Sequence, residues 1–65
     1  MTEIEIYRNY RLEIQPLGAG FRVVIYPPKG IMGLKHIPFS LKPAEREGVV
    51  AQARAIVDQH ILNSN

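Results

Sequence analysis

Apolar and polar residues alternate along the first part of the chain. From residue 4 to residue 14 the even positions are apolar except for Arg8, and most odd positions are polar. Because side chains of a strand alternate between its two faces, this pattern predicts a half-buried strand. Arg8 falls on the apolar side and Asn9 tolerates left-handed backbone, so we expect a bend or bulge between a short leading piece and a main strand, Tyr10 to Gln15.

Two further strands are predicted downstream. Pro16 to Gly20 contain one proline and two glycines, which favours a hairpin connection of three to five residues. Phe21 to Tyr26 are almost all β-branched or aromatic and predict the second strand, antiparallel to the first. After Pro27-Pro28 and a glycine-punctuated loop, Leu34 to Ile37 predict a short third strand at the sheet edge.

The last third of the chain has helical spacing. Its apolar residues recur at intervals of three and four and form one stripe, made up of Val49, Val50, Ala53, Ile56, Val57 and Ile61. We expect a helix with Ser40 or Lys42 as its cap, Pro43 in its first turn and an end near Leu62. Gly48 inside it costs about 1 kcal/mol relative to alanine, which indicates either close approach to a strand or a frayed first turn.

These elements predict an α+β fold, a three-stranded antiparallel sheet with one C-terminal helix packed on one face (β-β-β-α). The domain spans residues 1–62, and residues 63–65 form a disordered tail. One helix covers only one side of the sheet, so the other side faces water or a partner. The residues that we expect on this second side are Tyr7, Arg11, Arg22, Val24 and Tyr26.

Composition excludes several kinds of functional site. The chain has 65 residues and no cysteine, so disulfides, thiolate zinc sites and cysteine nucleophiles are excluded. A core this small leaves little room for a deep enclosed active site. No segment approaches the roughly 18 apolar residues of a membrane span, and no signal peptide is evident. We expect a cytoplasmic protein that is not an enzyme and has no membrane partner.

Residues with catalytic or ligand chemistry lack the partners that such chemistry needs. His36 has no histidine or carboxylate at metal-ligand spacing, and His60 stands at a helix end, where it suits the helix dipole. Ser40 has no nearby base and is better explained as a cap. The glycine-containing segments do not reproduce a phosphate loop. We therefore predict no catalytic residue, metal, cofactor or small-molecule substrate.

Two functions remain for the second side of the sheet. The first is association with a protein partner or a second copy, which the small core and the apolar Val24 and Tyr26 favour. The alternative is binding of RNA or single-stranded DNA through aromatic and basic residues. The stretch from Ile14 to Ala44 contains basic residues and no acid, whereas Glu5 and Glu13, on the same side as predicted, oppose a polyanion.

Four segments carry a resemblance to a known group of proteins. Tyr7 to Glu13, Gly20 to Val23, Tyr26 to Pro28 and Val49 to Asp58 together resemble a family of small bacterial proteins of unknown function. The resemblance covers most of the chain and implies no activity.

A looser similarity is to the HicB-type antitoxin partial fold. There a Gly-aromatic strand like Gly20 to Tyr26 leads through a Pro/Gly-rich segment to a helix with alanines spaced like Ala51 and Ala55. This similarity implies toxin binding and oligomerisation, although the DNA-binding domain of that family is not appended here. The double-stranded-RNA-binding fold also has three strands and a helix, but its first helix and its lysine-rich helix start have no counterpart, because Pro43 to Glu47 differ.

Overall fold

A computed structural model describes residues 2–28 and 37–63. Within them an antiparallel sheet with strand order β1-β2-β3-β4 packs against one C-terminal helix. The elements are β1 (Glu3–Tyr7), β2 (Tyr10–Leu17), β3 (Gly20–Tyr26), β4 (Phe39–Ser40), a 3₁₀ turn (Pro43–Glu45) and α1 (Arg46–Asn63). The predicted α+β class with one C-terminal helix is confirmed, and the sheet has four strands instead of three.

The extra strand arises at Arg8 and Asn9. These two residues have φ values of 52° and 70°, and positive φ at both central positions is the pattern of a type I′ turn, which joins antiparallel strands tightly. The chain therefore folds back, and Tyr7 pairs with Tyr10. The predicted break between a short leading piece and a main strand that starts at Tyr10 is confirmed, but it is a hairpin turn instead of a bend or bulge.

This hairpin reverses the predicted side of β1. Odd-numbered residues of β1 pair with even-numbered residues of β2, as in Glu5 opposite Leu12. Paired residues project to the same face of a sheet. Ile4 and Ile6 consequently lie on the face opposite Leu12 and Ile14, whereas the continuous alternation predicted all four on one face.

The second hairpin is tighter than predicted. β2 continues through Pro16 to Leu17, so only Gly18 and Ala19 form the turn. Gly18 has φ of +58°, and positive φ at the first central position is the type II′ pattern. β3 extends the predicted strand by one residue, to Gly20.

The sheet is completed by β4, which has two residues and pairs with β3. Ahead of it the Val23 N–H donates to the Pro38 carbonyl at 3.0 Å. The predicted third strand falls at residues 34–37, of which 34–36 lie outside the described residues. Ile37 is not in a strand.

One core lies between the sheet and the helix. The sheet contributes alternate side chains of β2 and β3, and α1 contributes its predicted stripe. The buried members are Tyr10, Leu12, Ile14, Val23, Ile25, Val49, Val50, Ala53 and Val57, with Tyr7, Phe21, Ile56 and Ile61 packed against them. All six residues of the predicted helical stripe thus contact the core.

The helix begins directly after the 3₁₀ turn and ends at Asn63. Lys42 occupies the cap position of the 3₁₀ turn without a side-chain cap bond, and the Ser40 hydroxyl bonds the Glu45 carboxylate instead. A Cβ at Gly48 would meet no atom within 4 Å, so the close approach considered for this glycine is absent. Asn63 is the last helical residue, and residues 64–65 of the predicted tail lie outside the described residues. No helix in the described ranges is long and apolar enough to cross a membrane.

Two glycines predict opposite effects of the same substitution. A Cβ at Gly20 would overlap the Ser40 carbonyl oxygen and lie 2.6 Å from the Leu41 carbonyl carbon, so Gly20→Ala should lower the free energy of unfolding by about 1–3 kcal/mol. Gly48→Ala adds a helix-favouring methyl in open space and should raise it by about 1 kcal/mol. Urea unfolding followed by circular dichroism measures both, and a Gly20→Ala variant as stable as the unmodified protein would contradict this packing.

Candidate functional site

The side of the sheet away from α1 is the candidate site, and we call it the uncovered face. No helix or strand among the described residues lies across it. Its members come from the alternate positions of β1, β2 and β3 that do not contact the core. They are Ile4, Ile6, Arg11, Glu13, Gln15, Leu17, Arg22, Val24 and Tyr26, together with Phe39 of β4.

A chain of polar contacts crosses the middle of the uncovered face. The Arg11 guanidinium lies 4.6 Å from the centre of the Tyr26 ring, and its Nε is 3.3 Å from Oε2 of Glu13. The Gln15 amide donates to Oε1 of Glu13 at 3.2 Å, and the Arg22 Nε donates to Oε1 of Gln15 at 2.8 Å. Glu13 is therefore shared by two donors, and each arginine has a partner within the face.

Apolar side chains flank this polar chain. Ile4 and Ile6 are 60% and 66% exposed, and they stand beside Glu13 and Arg11 in the register. Tyr26 is 39% exposed at the other side. Phe39, 59% exposed, is paired with Arg22 and so shares its face. The uncovered face is apolar at both margins and polar at its centre.

The structure brings together four of the five residues that the sequence pattern assigns to the site. Arg11, Arg22, Val24 and Tyr26 all lie on the uncovered face. Tyr7 does not, because the hairpin turns it toward the helix, where its hydroxyl donates to Asp58 at 3.0 Å.

The alternating pattern did not predict every member of the uncovered face. Ile4, Ile6 and Phe39 lie on the uncovered face but were not assigned to it. The available signal for the first two was Arg8, which broke the apolar alternation at the position where the chain in fact turns. Phe39 carried no such signal, because β4 is only two residues long.

Asp58 of α1 anchors the first turn. It accepts hydrogen bonds from the Tyr7 hydroxyl and, at 2.8 Å, from Nη1 of Arg8. The Arg8 guanidinium, and to a smaller extent the Tyr7 hydroxyl, stabilise the carboxylate and lower the pKa of Asp58. Because Asp58 accepts a hydrogen bond from the neutral Tyr7 hydroxyl, the pKa of Tyr7 is raised.

Two acid–arginine pairs link the rest of β1 to the helix. Glu5 accepts from Nε and Nη2 of Arg54 at 2.6 and 2.7 Å, a two-point contact that lowers the pKa of Glu5. Arg46 pairs with Glu3. Between these pairs lies a cleft of about 280 Å³ that reaches inward to Ile14. The contacts between β1 and α1 are thus mainly polar.

The histidine chemistry of the described chain is structural. The buried Tyr10 hydroxyl lies 2.7 Å from Nδ1 of His60, and the two rings meet edge to face, an arrangement that satisfies a buried phenol. His36 lies outside the described residues. Across residues 2–28 and 37–63, no three His, Cys, Asp or Glu side chains are grouped so that they could hold a metal ion.

Comparisons with protein-family models, with curated proteins and with solved structures found no match to this chain. Its function must therefore be argued from the surface of the fold itself.

The carboxylates that join β1 to α1 predict a loss of stability in acid. Because Asp58 and Glu5 have lower pKa values when folded, their contribution is complete above the unfolded-state values, about 3.9 and 4.3, and is lost as the pH falls through the folded values. We expect the free energy of unfolding to decline below about pH 5, and to decline less steeply in Asp58→Asn.

Urea unfolding at several pH values between neutrality and the acid limit measures this decline. Glu47→Gln is the matched control, since Glu47 is on the same helix but forms no salt bridge with another described residue. An Asp58→Asn variant with the same acid dependence as the unmodified protein would show that the Tyr7–Arg8–Asp58 contacts do not stabilise the fold.

Proposed function

We propose that this protein is a small, non-enzymatic protein-association module whose uncovered face is its interface. The observation that carries the proposal is the exposure of Ile4 and Ile6, at 60% and 66%, on the same face as Val24 and Tyr26. Apolar side chains grouped on one side of a small domain favour a protein partner, because their contact with water is unfavourable.

The polar centre of the uncovered face is compatible with such an interface. Protein interfaces commonly surround satisfied polar groups with aromatic and aliphatic contacts, and arginine and tyrosine are frequent there. Arg11 is paired with the Glu13 carboxylate and Arg22 with the neutral Gln15 amide, so the interface would bury one compensated cation and offer Arg22 to an acid of the partner. The partner is either a second copy or another protein chain.

Binding of RNA or single-stranded DNA is the alternative use of this face. Tyr26, with Arg11 stacked over its ring, resembles the aromatic and basic platforms on which bases stack. Glu13 opposes it, because this carboxylate lies between Arg11 and Gln15 at the centre of the face and would repel phosphate. Salt-sensitive oligonucleotide binding that is lost in an Arg11→Gln, Arg22→Gln variant would favour this alternative.

Charge introduced on the uncovered face should weaken association. Ile4→Arg and Ile6→Arg place a cation in the interface, where its burial is costly, and should each raise the dissociation constant of the complex at least about tenfold. Sedimentation equilibrium measures this for self-association. Ala55→Arg, on the exposed side of α1, is the matched control with the same added charge.

The expected result is weakened association in both sheet variants and no change in Ala55→Arg. Equal association of all three variants and the unmodified protein would contradict the assignment of the interface to this face.

A further inference from the structure

The outer edge of β1 carries backbone groups with no neighbouring strand in the described structure. The sheet order places β1 at one edge. Residues that flank a two-residue turn exchange backbone hydrogen bonds, so Tyr7 bonds β2, as do Glu5 and Glu3 farther along the ladder. The N–H and C=O groups of Ile4 and Ile6 therefore point outward, away from β2.

This edge lacks most of the features that prevent strand addition. Natural edge strands are protected by proline, by lysine, by inward-pointing charges, by bulges or by extreme shortness. Residues 2–7 contain neither proline nor lysine, and β1 pairs with β2 over all five of its residues without a bulge. Its acids, Glu3 and Glu5, are engaged by arginines of α1. By contrast β4, at the opposite edge, has two residues and follows Pro38.

The helix leaves space beside this edge. α1 packs mainly on β3, and it reaches β1 through long side chains across the 280 Å³ cleft. The backbone of an added strand would lie about 4.8 Å beyond β1, farther still from the helix axis.

We propose that β1 pairs antiparallel with β1 of a second copy, about a twofold axis through Glu5, to form a continuous eight-stranded sheet. This inference rests on the proposed association function and names the partner as this same chain. Ile4 of each copy lies opposite Ile6 of the other, and Glu5 lies opposite Glu5.

Symmetry and charge favour a second copy as the occupant. In this register all five residues of β1 have a partner, and the outward N–H and C=O groups of Ile4 bond those of Ile6 in the other copy. Isoleucines of both copies become neighbours on the uncovered face. On the helix side each copy presents both acids and arginines, and the repulsion between the two opposed Glu5 carboxylates is offset because Arg54 binds each of them at two points.

The absence of cysteine allows a single-cysteine test of this register. Glu5→Cys places its sulfurs across a non-hydrogen-bonded pair with Cα atoms about 4.5 Å apart, within the range of a disulfide. Ile4→Cys places them on a diagonal of about 7–8 Å, which is too far. Val24→Cys reports contact through the middle of the uncovered face. Ala55→Cys reports random collision.

In a glutathione redox buffer we expect Glu5→Cys to form disulfide-linked dimer at least about tenfold more than Ala55→Cys, since pairing raises the effective thiol concentration. Ile4→Cys should remain near the Ala55→Cys level. If Val24→Cys links efficiently and Glu5→Cys does not, β1 pairing is overturned while association through the uncovered face stands. If no variant exceeds Ala55→Cys, β1 pairing and self-association through the uncovered face both fail, and the association module is left with a different protein chain as its partner.

The Glu5→Cys variant loses the Arg54 contact and could misfold. A second test therefore uses the unmodified chain. The amides of Ile4 and Ile6 point outward, so their hydrogen exchange reports pairing at the β1 edge directly. We expect their exchange to slow by at least about tenfold as protein concentration rises from dilute to millimolar, by mass action. Exchange of these two amides that is independent of concentration overturns the proposal.

Discussion

The tight turn at Arg8 and Asn9 determines on which face each side chain of β1 lies. With positive φ at both residues, the turn pairs Tyr7 with Tyr10, so the polar and aromatic odd positions of β1 face the helix and its isoleucines face away. Had the chain continued straight, Ile4 and Ile6 would have joined the core side. The polar contacts to α1, the apolar margin of the uncovered face and the unpaired edge all follow from this one reversal.

The same turn explains why β1 is held by polar contacts. A single 18-residue helix covers β2 and β3, whose buried alternate residues make the core. β1 lies beyond that cover and contributes no buried residue. It is instead joined to α1 by Glu5–Arg54 and by Asp58, which binds Tyr7 and Arg8. Exposed ion pairs each add little stability, so β1 depends on its ladder with β2 and on several weak contacts acting together.

The parts of the fold that sequence predicted best have one strong periodic pattern each. β3 consists mostly of β-branched and aromatic residues, and the apolar stripe of α1 has helical spacing. Both elements were therefore located correctly. The alternation from residue 4 to residue 14 was misleading because it runs through a hairpin that contains neither Asn-Gly nor Asp-Gly, the usual signals of such a turn. Its two traces were Arg8 on the apolar side and Asn9, which tolerates left-handed backbone. Since side chains alternate with period two, this error exchanged Tyr7 for Ile4 and Ile6 at the candidate site.

Self-association, as proposed, would account for the occurrence of apolar side chains and an open strand edge together in so small a domain. Light scattering of the unmodified protein after size-exclusion chromatography, over a concentration series to millimolar, tests it most directly. If two copies of the chain pair, the mass should rise with concentration toward twice the 7.4 kDa of one chain. A mass of 7.4 kDa throughout the series would contradict it.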